Sequence, residues 1–336
     1  MAVTIKDVAE RAKVSTASVS YMINNGPRNV SEKTRAKIEK AIRETGYSPN
    51  AVARSLKTTR TYNLGLLITD IKDPFFLDLI LGVQAEAIAH NYNVFLCSSQ
   101  NDIELERHYI EQLRQQNVDG LIVAGSHLDQ ETLHTIATTT KTIILSPHKI
   151  QNAVQFFIDD YEGGRMVGEY LLMKGHRKIR YIEGSWMASD SHRLDGLCSV
   201  LEDASVNTSN IVGAIANNVS YEAGFSATLE ALGKYPDTTA LFCYNDTIAS
   251  GAINACRELG YRVPQDISII GFDDTEVAKS IFPALTTVNT NSGEIGTQMT
   301  RVLISILSNK MLGPELIKLP LKLIERDSTS MVNRSG

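Results

Sequence analysis

From residue 63 onward the chain alternates short, almost continuously apolar β-rich runs with longer amphipathic stretches, and this alternation limits the fold more than any other feature. NLGLLIT (63–69), YNVFLCS (92–98), DGLIVAG (119–125) and KTIILS (141–146) open the series. VQFFID, RKIRYIEG (177–184), IVGAIA, TALFCYN (239–245) and ISIIGFD (267–273) continue it. Strands without polar alternation are buried on both faces, which requires parallel sheets covered by helices on each side. Occurring twice, the pattern predicts two consecutive doubly wound α/β units, hence two lobes with a cleft between them. In open sheets of this kind a ligand sits beyond the carboxyl ends of the strands.

The first 62 residues read differently. They hold 12 Lys and Arg against 5 Asp and Glu, whereas the remainder holds 21 against 33, so a small basic module precedes a large acidic one. Thr4 caps a helix through IKDVAERA, with Asp7 three residues on in an approximate capping box. Ser15 caps a second helix, buried along Val19, Met22 and Ile23 and stopped by Asn24-Asn25-Gly26-Pro27. A third starts at Ser31, turns Ile38, Ala41 and Ile42 inward and ends at Gly46. Three short helices, the first two joined by a tight turn, form an all-α helix-turn-helix pattern. In such a unit the second helix enters the major groove of double-stranded DNA, so Thr16, Ala17 and Tyr21 are candidates for base contacts. Ser15, Ser18, Ser20, Asn24, Ser31 and Thr34, short polar groups near helix starts, suit phosphate oxygens.

SPNAVARSLK (48–57) has a proper helix start, with Ser48 as N-cap and Pro49 at the first helical position. It makes only about two turns, and isolated helices that short are marginal in water. It therefore needs a partner to fold.

Composition removes several function classes. No run of 18 apolar residues appears, and the charged start MAVTIKDVAERAK is not a signal peptide, which points to a cytoplasmic protein with no membrane partner. The four cysteines are scattered and suit a reduced core. No Walker A, GxGxxG, HExxH or GxSxG occurs, and the seven histidines lack a metal spacing. The expectation is a protein that is not an enzyme, with no catalytic residues, metal or cofactor. Position after strands selects the cleft candidates: Phe75 and Phe76, then Trp186, Asp190 and Arg193, then Asn245, then Asp273. Aromatic faces beside amides, carboxylates and an arginine suit a small polyhydroxylated ligand. Each has a plainer alternative: Asn245 and Asp273 as helix caps, the two phenylalanines as core.

The motifs T-I-K-D-V-A, V-S-x-x-S-V-S, S-x-K-T-R and G-Y-S-P-N-A-V-A-R-S-L-K are joined by G-H-R-K-I (175–179), R-x-x-G (193–196) and N-D-x-x-A-x-G (245–251). V-P-x-D-I-S-I-I-G-F-D-D (263–274), P-A-L-T-T-V (283–288) and L-I-E-R-D-S-T (323–329) follow. In this order they resemble the LacI/GalR family of bacterial transcription regulators over nearly the whole chain, with a head closest in wording to the purine-repressor branch. The resemblance implies a helix-turn-helix domain over 1–47, a hinge helix and linker over 48–61, a two-lobed periplasmic-binding-protein-like effector and dimerisation domain over 62–330, and a tail over 331–336. It implies that paired hinges fold on the operator, with Leu56 wedged into the minor groove and Arg54 and Lys57 beside it. It carries effector contact to Arg193, Asn245 and Asp273, and a pocket aromatic to Phe76.

Departures refine this. Val219 stands where relatives often place a stacking aromatic, and Ser146 where an aspartate is found in some. The stretch between Ile182 and Arg193 is shorter than in the purine-repressor branch, which argues against a purine ligand. Tyr21 replaces a residue that is often arginine, so operator bases do not transfer from a relative. No leucine heptad follows residue 329, so a homodimer is expected rather than a tetramer. The expectation is a cytoplasmic repressor of a near-palindromic operator, controlled by a sugar or sugar phosphate, with a nucleoside or other metabolite as the alternative. A transport-type sugar-binding protein is the runner-up, but it would have a secretory signal and no DNA-binding head.

Overall fold

Thr4 starts α1 (Ile5–Ala12) by donating its amide and hydroxyl to Asp7 Oδ2 at 2.7 and 2.8 Å. Ser15 caps α2 (Thr16–Ile23), its Oγ accepting from the Ser18 amide at 3.1 Å. Ser31 caps α3 (Glu32–Thr45), which closes on Gly46 at φ 67°. The computed structural model describes residues 3–23, 30–47, 60–146, 149–151, 153–184, 192–310 and 316–332. The chain divides into two units, Met1–Thr61 and Tyr62–Gly336. In the first, Val8, Ala9, Ala12, Val19, Ile38 and Ala41 form the core. Arg11 Nε meets Glu44 Oε2 at 2.6 Å across α1 and α3. The caps are those the sequence implies; the stop at 24–27 and the helix at 48–57 lie outside the described residues.

In the second unit β1 (Asn63–Ile68), α4 (Pro74–Ala89), β2 (Asn93–Ser98), α5 (Ile103–Gln115), β3 (Gly120–Ala124), α6 (Gln130–Thr139), β4 (Thr142–Leu145) and β5 (Val154–Ile158) begin the first lobe. Its all-parallel sheet has the order β11-β5-β4-β3-β1-β2, β11 being Leu316–Leu319. The second lobe holds α7 (Asp160–Met173), β6 (Ile179–Glu183), α8 (Arg193–Asp203), β7 (Val212–Ile215), α9 (Tyr221–Lys234), β8 (Ala240–Cys243) and α10 (Asp246–Glu258). β9 (Ser268–Asp273), α11 (Glu276–Ser280), β10 (Thr286–Asn289) and β12 (Lys322–Ile324) complete it, with sheet order β12-β10-β9-β8-β6-β7. Among the described residues only β12 runs antiparallel to its neighbour, with Val288 opposite Leu323. Four apolar clusters cover the two faces of the two sheets, as continuous strands require. Among the described residues no helix is long and apolar enough to cross a membrane.

Two details depart from a reading of two consecutive units. VQFFID, grouped by sequence with the second series, forms β5 of the first sheet, with Ile143 opposite Val154. The final helix, α12 (Ser292–Leu307), returns to the first lobe and packs Ile295, Met299 and Leu303 into its core. The chain thus passes between the sheets three times, after Ile158, after Asn289 and after Leu319.

Candidate functional site

In the head, Thr16 and Ala17 are exposed in the first turn of α2, and Tyr21, one turn on, is half-buried. Ser15 is exposed, and its hydroxyl lies 2.9 Å from that of Ser18. Ser31 and Thr34 make the same pairing at 2.9 Å at the start of α3. These four hydroxyls therefore serve their helix starts; Ser20 is half-buried. Asn24, Arg54, Leu56 and Lys57 lie outside the described residues, as do Trp186 and Asp190.

Arg193, the first residue of α8, organises the cleft side of the second lobe. Its side chain is 8% exposed; Nε donates to Asp160 Oδ1 at 2.8 Å and Nη1 donates to the carbonyl of Tyr244. The guanidinium lies 3.7 Å from the ring centre of Phe272 and 4.7 Å from that of Tyr244. Burial alone would lower its pKa, but Asp160, Tyr244 and Asp273 outweigh burial and hold it above the ordinary arginine value, so it is charged. Asp160, Tyr244 and Asp273 stand at the ends of β5, β8 and β9, and Arg193 opens the helix that follows β6, on the side where the strand-end rule places a ligand.

A close helix crossing holds Arg193 there. A Cβ on Gly164 of α7 would lie 1.9 Å from the carbonyl oxygen of Arg193, and one on Gly196 of α8 would lie 1.9 Å from that of Tyr161. Only residues without a side chain allow the two backbones to meet this way.

Asn245 caps α10, its Oδ1 accepting from the Ile248 amide at 3.0 Å. Its neighbour Asp246 is buried and accepts from the Thr275 amide at 2.7 Å, Thr275 Oγ1 at 3.0 Å and Thr287 Oγ1 at 2.6 Å. Burial pushes the Asp246 carboxyl up to about 7, against these donors. The pair Asp273-Asp274 splits: Asp274 accepts from Arg326 Nη2 at 2.5 Å and Asn289 Nδ2 at 2.6 Å, while Asp273, at φ 102°, interacts with Arg193. Asp273 is 7% exposed, and burial raises its carboxyl pKa well above the ordinary value.

From the first lobe come Phe75 and Phe76, in the first turn of α4, each 8% exposed and edge-to-face at 5.1 Å. Both belong to the first lobe's core, the plainer role. Asp73 caps that helix through the Phe75 amide at 3.0 Å and interacts with Arg193 and Asp273 of the other lobe. Sequence reasoning missed Asp73, Asp160 and Tyr244. Asp160 follows the strand VQFFI and the intervening Asp159, so its position beyond a strand end marks it. A pocket of about 420 Å³ adjoins the cleft between α4, the start of α12 and Asp274, and takes in Asp273 but not Arg193. Among the described residues no group of three or more His, Cys, Asp or Glu side chains could hold a metal ion.

Residues 4–50 match the pattern of bacterial regulatory proteins of the lacI family, and residues 169–329 that of a periplasmic binding protein-like domain. The HTH-type transcriptional repressor PurR of Pectobacterium atrosepticum is 38% identical over 97% of each chain, and that of Proteus mirabilis 36% over the same shares. Among solved structures, the lac repressor dimer bound to operator and the anti-inducer ONPF superposes with TM-score 0.86 at 27% identity, covering 98% of this chain and 100% of that one. A LacI-family regulator from Enterococcus faecium with bound ribose superposes with TM-score 0.72 at 26% identity, covering 81% of this chain and 100% of that one. Head, two-lobed domain and full-length similarity agree: the chain is a DNA-binding transcription regulator with an effector-binding domain, and it belongs to the lacI family.

Proposed function

We propose that the protein is a homodimeric repressor whose two heads read the half-sites of a near-palindromic operator, and whose operator affinity is set by a nucleobase-related molecule bound between the lobes. The observation that carries the effector site is Arg193, buried at the strand ends with its charge intact and flanked by two aromatic rings. A guanidinium offers paired donors to a carbonyl or ring nitrogen, and the fully buried Phe272 beneath it holds it in place. The sugar or sugar phosphate expected from sequence gives way to this class because the PurR repressors resemble the chain at 36–38% identity over its full length. The ribose-bound regulator does so at 26% over 81% of the chain.

In the head, Thr16, Ala17 and Tyr21 would meet base edges, and Ser15, Ser18, Ser20, Asn24, Ser31 and Thr34 would lie near phosphates. The hinge residues Arg54, Leu56 and Lys57 would sit in the minor groove at the centre of the site. Asn245 and Asp273, with Phe75, Phe76, Trp186 and Asp190, complete the proposed effector set. An effector moves operator affinity only as far as it prefers one arrangement of the lobes over another.

A thermal-shift screen of nucleobases, nucleosides and sugars tests the effector class, since a ligand of the native state raises Tm. A base or nucleoside should give the largest shift, and Arg193→Ala should remove it. A shift produced by sugars alone would replace the class. Leu56→Ala should reduce operator bending in a circular-permutation gel assay; bending equal to that of the wild type would remove the wedge.

A further inference from the structure

Asp273 and Asp274 have φ of 102° and 57°, so two successive residues with side chains lie in the left-handed region that favours glycine. Strain of this kind persists only where the surroundings over-determine it. Arg326 and Asn289 hold the Asp274 carboxylate, and Thr290 Oγ1 donates to the Asp273 carbonyl at 3.4 Å. The remaining tie is Asp246, the first residue of α10. Its Oδ2 accepts from the amide and hydroxyl of Thr275, the residue directly after the turn, at 2.7 and 3.0 Å. Its Oδ1 accepts from Thr287 Oγ1 on β10 at 2.6 Å, and that hydroxyl oxygen accepts in turn from the Asp274 amide at 3.4 Å. Gly271 on β9 makes room for this carboxylate, because a Cβ there would collide with Asp246 Oδ1. Asp246 is 1% exposed and does not line the pocket of about 420 Å³ that takes in Asp273.

We infer that Asp246 is a positioning residue of the effector site: without touching the occupant, it clamps Thr275 to β10 so that the strained turn presents Asp273 at the end of β9. The inference rests on the reading of Asp273 as an effector contact.

Isothermal titration of the full-length protein with adenine, adenosine and ribose, well below every Tm, tests it. For whichever probe binds the wild type, Asp246→Ala should weaken binding about tenfold or more, because a contact group displaced by a fraction of an ångström loses much of its effect. Asp246→Asn keeps an oxygen for the Thr275 amide, and Thr287 can accept from its new amide; binding should stay within about threefold of the wild type. Thr287→Val, which removes one of the three donors, should fall between the two. Leu232→Ala, in the core of the same lobe, separates position from stability: it should lower Tm and bind as the wild type does. Affinity that simply follows Tm across the four variants, or Asp246→Ala binding as tightly as the wild type, overturns the inference. Amide hydrogen exchange of the unliganded protein adds an arm free of any probe. In Asp246→Ala, exchange should quicken over residues 273–276 while β8 and the rest of α10 keep their protection, and Asp246→Asn should restore it. Protection lost throughout the lobe, or unchanged at the turn, overturns the inference. If no probe binds the wild type and faster exchange is still confined to the turn, the clamp stands and the effector class proposed above is what fails.

Discussion

Removing the Arg193 side chain would strip Asp160 of its 2.8 Å donor and take from Asp273 the cation that offsets the neighbouring acids. Breaking a buried ion pair from one side costs about 3–5 kcal/mol, so Arg193→Ala should lower Tm markedly as well as abolish the effector shift. Arg193→Lys should recover part of the stability and little of the binding, because an ammonium cannot reproduce the planar fork. Asp73 supplies a pH signature. Its carboxyl is pushed up to about 6 by burial, with Asp70 adding to the rise, against the pull of the Phe75 amide and Arg193. Unfolded, the group titrates near the usual value of about 4. The folded protein therefore holds an extra proton between these values, and the stability this group contributes is complete below about pH 4 and lost as pH rises through 6. The Tm of the wild type minus that of Asp73→Asn should fall between pH 4.5 and 7; parallel profiles would show that Asp73 keeps its ordinary pKa. Position after a strand was enough to nominate Arg193, Asn245 and Asp273 from sequence. Asp73 escaped because it looks like a helix cap, which it also is, and Tyr244 because its backbone carbonyl is a hydrogen-bond partner that residue type does not reveal.

At the scale of elements, helix pairs meet through reciprocal glycines. Gly164 and Gly196 join α7 to α8, Gly82 and Gly296 join α4 to α12, and Gly224 and Gly251 join α9 to α10, with added Cβ atoms falling 1.9 to 2.4 Å from facing carbonyl oxygens. Gly164→Ala should cost about 1–3 kcal/mol or more as an overpacked contact. Because that contact is the carbonyl of Arg193 itself, effector affinity should fall by about tenfold or more in the same variant. A loss of stability with affinity retained would show that α8 moves as a body without disturbing its first side chain. In the head, Ile38 is fully buried and Ile38→Ala should cost about 2–5 kcal/mol. Helix starts were legible because Thr4, Ser15 and Ser31 are local signals. Helix partners were not: Gly82 and Gly296 are remote in sequence, and periodicity reports only that a face is apolar. For the same reason β5 was grouped with the wrong lobe, since an apolar strand carries no mark of the sheet it joins.

For the whole molecule, the charge division sets how DNA binding responds to salt. The first 62 residues hold 12 cations against 5 carboxylates, and the remainder is acidic. Two such heads neutralising several phosphates each should give log K against log salt a slope of about −6 or steeper, measured by titrating labelled operator at increasing potassium chloride. A slope near zero would remove the basic module as the source of affinity. The chain's path between the sheets has a different consequence, one that concerns synthesis. The sheet of the first lobe is completed by β11 and that of the second by β12, both after residue 315. Neither sheet has its edge strand while the polypeptide is still being elongated past α12, however early its other strands have left the ribosome. The protein should therefore stay protease-sensitive in both lobes until the chain through Ile324 has emerged, so that a message truncated before residue 316 yields no finished lobe.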